Sequence, residues 1–252
     1  MEWKRTEAFV LRSIPLGEAD RIVNLFTREE GLVRAVAKGA RKSRKRFGGS
    51  LEPLTRVQAR YFQKEGADLG RLESCEILES HFILQQSSLE IIFCFSYLVE
   101  LVGHFARERE ADPRFYRLLS SILEAAESAA DPVLLVRYFE IWTLRLHGLL
   151  PEFRNCGGCQ EVLEGIVAYH LVSNELLCPA CLRRRQGESV LMKGTDWHWI
   201  GKALAKGPLE VCRTARRPLP GPGLRRFTRS AIEGFLERPL RTYRFLPTEY
   251  RV

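Results

Sequence analysis

The sequence has no apolar run long enough for a membrane span, and it has few cysteines for its size. Its best apolar stretch, Ile91–Val99, is about half the length that a bilayer requires. The first residues are charged and lack the apolar core of a signal peptide. With 7 cysteines among 252 residues, the chain can fold without a disulfide scaffold. We therefore expect a cytoplasmic protein without membrane contact, whose thiols stay reduced.

Motifs of the common enzyme classes are also missing. The chain contains no phosphate-binding G-x-x-x-x-G-K-[ST] loop, no dinucleotide-binding G-x-G-x-x-G, no metalloprotease H-E-x-x-H and no G-x-S-x-G elbow. The five histidines are scattered, and the acidic residues form no paired pattern of a two-metal nuclease. These absences favour a binding protein over an enzyme, and we expect no catalytic residues.

Positive charge is concentrated at the two ends of the chain. The 39 basic and 31 acidic residues give a net charge of +8. Residues 1–80 carry +4 and residues 191–252 carry +8, whereas residues 81–150 carry −3 and residues 151–190 carry −1. Basic ends around a near-neutral middle favour a polyanionic partner, with nucleic acid as the first candidate. The alternative is a solvated basic surface that serves only solubility.

Residues 1–80 are predicted to form a β domain. Apolar and polar residues alternate in short segments that turn residues separate, as at Pro15–Glu18 and Lys64–Asp68. A sheet this short must cover its edges, which favours a small closed barrel. The expected strands are Thr6–Ile14, Asp20–Arg28, Leu32–Lys38, Leu51–Gln63 and Leu69–Leu78.

Residues 81–252 are predicted to form an α-helical domain, which makes the fold class α+β. From about Phe82 the apolar residues repeat every three to four positions. Asp131 followed by Pro132 is a typical helix start, and Gly148 a typical stop. The expected helices carry Ile91–Phe105, Phe115–Ala126, Pro132–Leu146, the residues after Thr195, and Leu224–Leu236.

Two cysteine pairs predict a metal site in the helical domain. Cys156 and Cys159 are followed, after 18 residues, by Cys178 and Cys181. This C-x2-C-x18-C-x2-C spacing is typical of four thiolates around one structural zinc ion. Two disulfides or a chance spacing are the alternatives. We expect this zinc-binding insertion at about residues 152–188, with a hairpin over Gly165–Leu177, and we expect core positions for Cys75, Cys94 and Cys212.

Two basic groups are candidates for nucleic-acid binding. The first follows the third expected strand and continues the face that carries Arg34; we expect a mobile loop that closes over a single strand. It comprises Lys38, Arg41, Lys42, Arg44, Lys45 and Arg46. Phe47, Tyr61 and Phe62 could stack on bases, but core positions are more typical of such rings. The second group could hold nucleic acid or an acidic protein tail, or be a solvated surface. It comprises Arg213, Arg216, Arg217, Arg225, Arg226 and Arg229.

The order of these parts, together with several short motifs, resembles the RecO family of DNA repair proteins. The resemblance covers nearly the whole chain. The motifs are Thr6–Leu11, Gly17–Arg21, Val36–Arg41, Phe47–Leu54, Phe139–Glu140, Leu149–Pro151 and Pro239–Thr242.

By this resemblance the barrel is an OB-fold, and the remainder is an α-helical domain with the zinc site. The family binds single-stranded and double-stranded DNA and anneals complementary strands. With RecR, and often RecF, it helps to load RecA onto DNA coated by the single-stranded-DNA-binding protein SSB, whose acidic C-terminal tail would dock on the helical domain. The implied location is the bacterial cytoplasm, at the nucleoid. Some members lack the cysteines. Alternative functions are a nucleic-acid enzyme of the ligase or topoisomerase type, and a zinc-ribbon adaptor for RNA or transcription.

Overall fold

The chain divides into two units of densely packed residues. The computed structural model describes residues 3–42, 44–64, 66–81, 88–128, 130–213 and 219–247. Unit 1 is Met1–Arg117 and unit 2 is Leu118–Val252. The domain boundary expected between residues 80 and 81 stays a prediction. Among the described residues, no helix combines the length and apolar character that a membrane crossing needs.

Unit 1 is built around a closed five-stranded barrel. Around the barrel the strand order is β1-β2-β3-β5-β4, and β4 pairs with β1 to close it. All neighbours are antiparallel except β3 and β5, which are parallel. This order and this closure are those of an OB-fold, as expected. The strands are Trp3–Leu16, Asp20–Thr27, Gly31–Ala37, Arg56–Phe62 and Gly70–Glu79, numbered β1 to β5.

The long first strand closes the barrel by pairing on both of its edges. Residues 3–9 of β1 pair with β4, and residues 8–16 pair with β2. A bulge between Val10 and Arg12 lies where the pairing changes partner. Because a bulge adds one residue, it shifts the alternation of side chains, so Arg12 and Ile14 lie on the outer surface.

Inward-facing side chains from all five strands form the barrel core. Ala8, Val23, Ala35 and Val57 are fully buried members of this core, and small residues suit its narrow interior. Part of the outer wall is covered by the start of a helix, where Tyr116 packs on Phe9 with ring centroids 4.9 Å apart. Apolar side chains on the inner face of a strand are thus buried in the barrel core, and Phe9 on the outer face is buried under the helix.

The fourth expected strand begins later than predicted. Leu51–Thr55 does not belong to a strand: Gly48–Leu51 forms a 3-10 turn, and β4 starts at Arg56. Leu54 adopts a left-handed backbone (φ 62°), and its N–H donates to the carbonyl of Val10 at 2.6 Å. This turn directs the chain into β4, so the apolar residues before it face the core without belonging to a strand.

Helices follow the barrel. A short helix between β3 and β4, Arg44–Phe47, is α1. The first helix after the barrel is α2, Leu89–Phe105. Ser88 caps α2 by accepting from the N–H of Ile91. Residues 82–87, where we expected the helical pattern to begin, lie outside the described part. Helix α3 is Pro113–Glu127.

Unit 2 combines helices with a small sheet. The helices are α4 (Pro132–Leu146), α5 (Pro179–Leu182), α6 (Gly194–Ala205), α7 (Pro208–Cys212) and α8 (Pro222–Leu236). The sheet has the order β7-β6-β8 and consists of Val167–His170 (β6), Glu175–Leu177 (β7) and Ser189–Met192 (β8). The hairpin β6–β7 was expected, whereas β8 and the short helices α5 and α7 were not.

The start and the end of α4 agree with the sequence prediction. The carboxylate of Asp131 accepts from the N–H groups of Val133 and Leu134, both at 2.9 Å. Gly148 adopts φ 71°, the left-handed region where glycine costs least. The helix therefore begins and ends where local chemistry directs it to.

A buried ion pair within α4 is hydrogen-bonded to Thr228 of α8. Arg137 and Glu140 form a salt bridge at 2.8 Å, with side chains 1% and 0% exposed. Thr228 of α8 donates its hydroxyl hydrogen to the same carboxylate at 2.6 Å. Since both charges are removed from water, each depends on the other for compensation.

We predict that Glu140→Ala lowers the free energy of unfolding of unit 2 by about 3–5 kcal/mol, because Arg137 would stay buried without its carboxylate. The matched control is Glu210→Ala, which removes an exposed pair with Lys206 and should cost about 1 kcal/mol or less. Urea unfolding followed by tryptophan fluorescence in a Trp3→Phe background reports on unit 2, since the other three tryptophans, Trp142, Trp197 and Trp199, all belong to it. Equal stabilities of the two variants would contradict this account.

Candidate metal centre and nucleic-acid interface

The four expected ligands meet at one point in unit 2. The Sγ atoms of Cys156, Cys159, Cys178 and Cys181 all lie within 4.8 Å of one another. Cys159 and Cys178 are 3.9 Å apart at sulfur. Four thiolates bound tetrahedrally to zinc at about 2.3 Å stand about 3.8 Å apart, so this donor set fits a zinc ion. The second pair is held by α5, whose first residue follows Cys178 directly.

Backbone N–H groups favour the negative charge on one of these sulfurs. The N–H groups of Cys178 and Gly158 point at the Sγ of Cys156, at 3.3 and 3.4 Å. Burial raises the pKa of this thiol, but the backbone donors outweigh it and lower the pKa to about 6. Burial and the neighbouring sulfurs raise the pKa of Cys181 to about 12. Neighbouring thiolates thus disfavour one another's negative charge, and a bound cation removes this repulsion.

The first cysteine turn uses its glycines for close approach. A Cβ on Gly158 would lie 2.9 Å from the Sγ of Cys181, so a larger residue would push the two pairs apart. The left-handed residue of the turn is not a glycine but Gln160, with φ 62°. Gly158 therefore provides space for the second cysteine pair, and the left-handed residue Gln160 directs the chain away after Cys159.

The seven thiols do not pair with one another as disulfides. None takes part in a disulfide, and the 3.9 Å between the sulfurs of Cys159 and Cys178 far exceeds the roughly 2.05 Å of a disulfide bond. The three cysteines outside the cluster are buried, as expected for core residues. Burial raises the pKa of Cys75 to about 12, which makes this thiol a poor ligand.

The described part of the basic segment after β3 forms turns and a short helix, and the mobility that we predicted for it stays a prediction. Residues 38–42 form hydrogen-bonded turns against the β1–β2 connection: the N–H of Gly39 donates to Asp20 at 2.8 Å, and that of Arg41 to the carbonyl of Ala19 at 2.9 Å. The chain then enters α1. Ser43 and the side chains of Arg44 and Lys45 lie outside the described residues.

The described cations of this segment lie at the surface. Arg34 and Lys38 are both exposed, on the same face of β3 and its continuation. Arg41 donates to the carbonyl of Gly17. Lys42 is exposed as well. Arg46 donates to the carbonyl of Glu73 at 2.8 Å, which fixes the segment beside β5.

Several barrel cations have no acidic partner. Within the ranges that the structure describes, ion pairs engage Lys4, Arg5, Arg28, Arg56 and Arg60 of the barrel. None is found there for Arg12, Arg34, Lys38, Arg41, Lys42 and Arg71. Arg12 and Arg71 were missed by sequence reasoning. Arg71 stands beside Val36 in the β3–β5 pairing, so only the three-dimensional register adds it to the group.

The aromatic candidates divide between core and surface. Phe47 is 4% exposed and Tyr61 0%, so both belong to the core. Phe62 is half-buried and contacts Trp3, whose ring is 42% exposed. Trp3 was not among the predicted candidates, although it continues the outward alternation of Arg5 and Glu7.

Two members of the second basic group lie against a tyrosine. Arg225 and Arg229 of α8 place their guanidinium groups 5.2 and 4.6 Å from the centroid of Tyr243. Arg229 also pairs with Glu233 at 2.8 Å. Arg226 and Arg213 are exposed, and Arg216 and Arg217 lie outside the described residues.

Two family models match successive parts of the chain. Residues 1–81 match the model of the recombination protein O N terminal, and residues 86–244 match that of the recombination protein O C terminal. The chain belongs to the RecO family. Membership places it among DNA repair and recombination proteins, as the motifs had indicated.

Relatives from several bacteria agree with this assignment, and each is named DNA repair protein RecO. That of Koribacter versatilis (strain Ellin345) is 35% identical, over 96% of this chain and 98% of the relative. That of Anaeromyxobacter sp. (strain Fw109-5) is 36% identical, over 92% and 89%. That of Syntrophus aciditrophicus (strain SB) is 34% identical, over 74% and 73%.

We predict that Cys156→Ser/Cys159→Ser abolishes zinc binding and lowers the Tm of unit 2, since a closed thiolate site contributes directly to folding. Cys75→Ala is the control and should keep one zinc ion per chain. Metal content by mass spectrometry under native conditions and calorimetry give the two readouts. A double variant with unchanged metal content, or a metal-free protein of equal Tm, would contradict the assignment.

Proposed function

We propose that this protein binds single-stranded DNA and anneals complementary strands. With RecR, and RecF where present, it would also help to load RecA onto DNA coated by SSB. The observation that carries the proposal is the set of unpaired cations on the β3 side of the barrel. Family membership supplies the repair and recombination setting.

Charge on the barrel supports binding to a polyanion. The cations Arg34, Lys38, Lys42 and Arg71 lie within unit 1, exposed and without carboxylate partners among the described residues. A phosphate that replaces their counterions binds with a gain in solvent and ion entropy, and this gain does not depend on base sequence. A protein that anneals any two complementary strands needs this kind of indifference.

The proposed mechanism of annealing is electrostatic. Two DNA strands repel each other over roughly 10 Å at moderate salt, and cations between them reduce that repulsion. Base pairing then supplies the driving force, so the protein needs no nucleotide and no catalytic group. Double-stranded DNA, the product, would bind to the same surfaces through its phosphates.

Unit 2 supplies the further contacts of the proposal. We assign one structural zinc ion to the four cysteines, where it would hold the two turns together. The arginines around Tyr243 are the surface we propose for the acidic tail of SSB, because guanidinium groups match carboxylates. RecR would bind to this protein directly, whereas the effect on RecA would be indirect. The protein would act in the cytoplasm, at the nucleoid.

We predict that the protein accelerates annealing of complementary oligonucleotides in the absence of any nucleotide, both bare and coated by SSB. Fluorescence energy transfer between labelled strands gives the rate. A strict requirement for ATP, or strand cleavage or joining on nicked or supercoiled DNA, would instead favour an enzyme. Preference for RNA over single-stranded DNA in competition would favour an adaptor.

We predict that Arg41→Glu/Lys42→Glu weakens binding to an oligonucleotide and reduces its salt dependence. Each lost phosphate contact lowers the slope of log K against log salt by about 0.7, so two lower it by up to about 1.4. The control is Arg114→Glu/Arg117→Glu, which makes the same change in net charge at exposed positions on α3. Equal slopes for the two variants would remove the segment from the interface.

A further inference from the structure

A single row of outward side chains runs around the barrel wall. Strand register places Trp3 beside Phe62, and Phe62 beside Arg71. On the other side of Arg71 the same row continues through β3 and β2 to the second half of β1. In order, the row consists of Trp3, Phe62, Arg71, Val36, Ile22 and Ile14.

Two aromatic rings begin this row at the surface. The centroids of Trp3 and Phe62 are 5.7 Å apart, with the ring planes at 55°. Trp3 is 42% exposed although its partner ring, Phe62, is half-buried. The indole thus keeps a large part of its area open to water, which is a cost unless a ligand covers it.

Positive charge surrounds the two rings. The guanidinium of Arg60 lies 5.3 Å from the centroid of Trp3 and pairs with Glu73 at 2.9 Å. Arg71, which is exposed, stands next to Phe62 and links the rings to the cations of β3. The rings therefore suit a flat apolar part of a ligand, and the guanidinium groups beside them suit its negative charge.

A shallow depression adjoins the rings on the β1–β4–β5 wall. It has a volume of about 300 Å³ and is lined by Arg5, Gln58, Arg60, Ser74 and Glu76. Arg60 belongs to both features, because it lines the depression and covers part of Trp3. Amide, hydroxyl and carboxylate groups in the lining offer hydrogen-bond donors and acceptors of the kind that base edges use.

We propose that Trp3 and Phe62 form a stacking platform for an unpaired nucleobase of single-stranded DNA, with the unpaired Arg71 holding a flanking phosphate. This inference rests on the proposed function and adds to it a contact with the bases, beside the contacts with the phosphates. In a duplex the base faces are stacked on one another, so the platform favours single strands. Phosphate contacts alone do not make this distinction.

The test compares Trp3→Leu with the full-length wild type on two oligonucleotides. One is oligo(dT), and the other has the same number of phosphates but no bases. Stacking of one base on an aromatic ring contributes about 1–3 kcal/mol, so Trp3→Leu should bind oligo(dT) roughly 5- to 150-fold more weakly. Its affinity for the abasic strand should equal that of the wild type. Trp3→Phe, which keeps an aromatic ring, should restore most of the affinity.

Tryptophan fluorescence gives an independent readout. Oligo(dT) should quench part of the wild-type emission and less of the Trp3→Leu emission. Trp197→Leu, which removes a half-buried tryptophan of unit 2, should keep the quenching. If the wild type fails to bind oligo(dT), the proposed function fails. If the wild type binds while Trp3→Leu binds equally well, or loses affinity for both strands alike, the platform is overturned and the proposed function stands.

Discussion

Closure of the barrel by β1 is the constraint on which the rest of unit 1 depends. One strand pairs with β4 along its first half and with β2 along its second, and the bulge between Val10 and Arg12 lets it do so. Closure gives every strand a neighbour on both sides, although β3 and β5 share only three residue pairs. What the barrel offers a ligand is then mainly its outward side chains, and the shifted alternation after the bulge decides which ones these are.

The buried arginine Arg137 has a carboxylate partner, whereas several exposed cations of the barrel have none among the described residues. In unit 2 a buried arginine, Arg137, has its carboxylate at 2.8 Å, because an uncompensated charge in that place would cost several kcal/mol. On the barrel, Arg56 and Arg60 have acidic partners, whereas Arg34 and Arg71 have none among the described residues. Exposed cations lose nothing by staying unpaired in water, and an unpaired cation remains available to an external phosphate.

Much of this architecture could be predicted from local patterns, and the remainder could not, for physical reasons. Alternation located the strands, and cysteine spacing located a cluster whose sulfurs do meet. The start of β4 was misplaced because the left-handed backbone of Leu54 is set by contact with distant β1. Strand β8 has four residues and forms only by pairing with β6. Arg71 joins the basic surface through the parallel β3–β5 pairing, which no local pattern reveals.

Annealing sets a requirement that charge alone does not meet. A strand held by its phosphates is free to turn its bases towards the protein, where they are hidden from a complementary strand. A base stacked on an aromatic face is oriented, yet its hydrogen-bonding edge stays open, because stacking uses the ring face and pairing uses the rim. Trp3 and Phe62 stand in one row with Arg71, so under the proposed function ring and charge would act on the same stretch of DNA. The barrel would then hold a strand in a form that still pairs, and salt-dependent phosphate contacts would let the duplex leave.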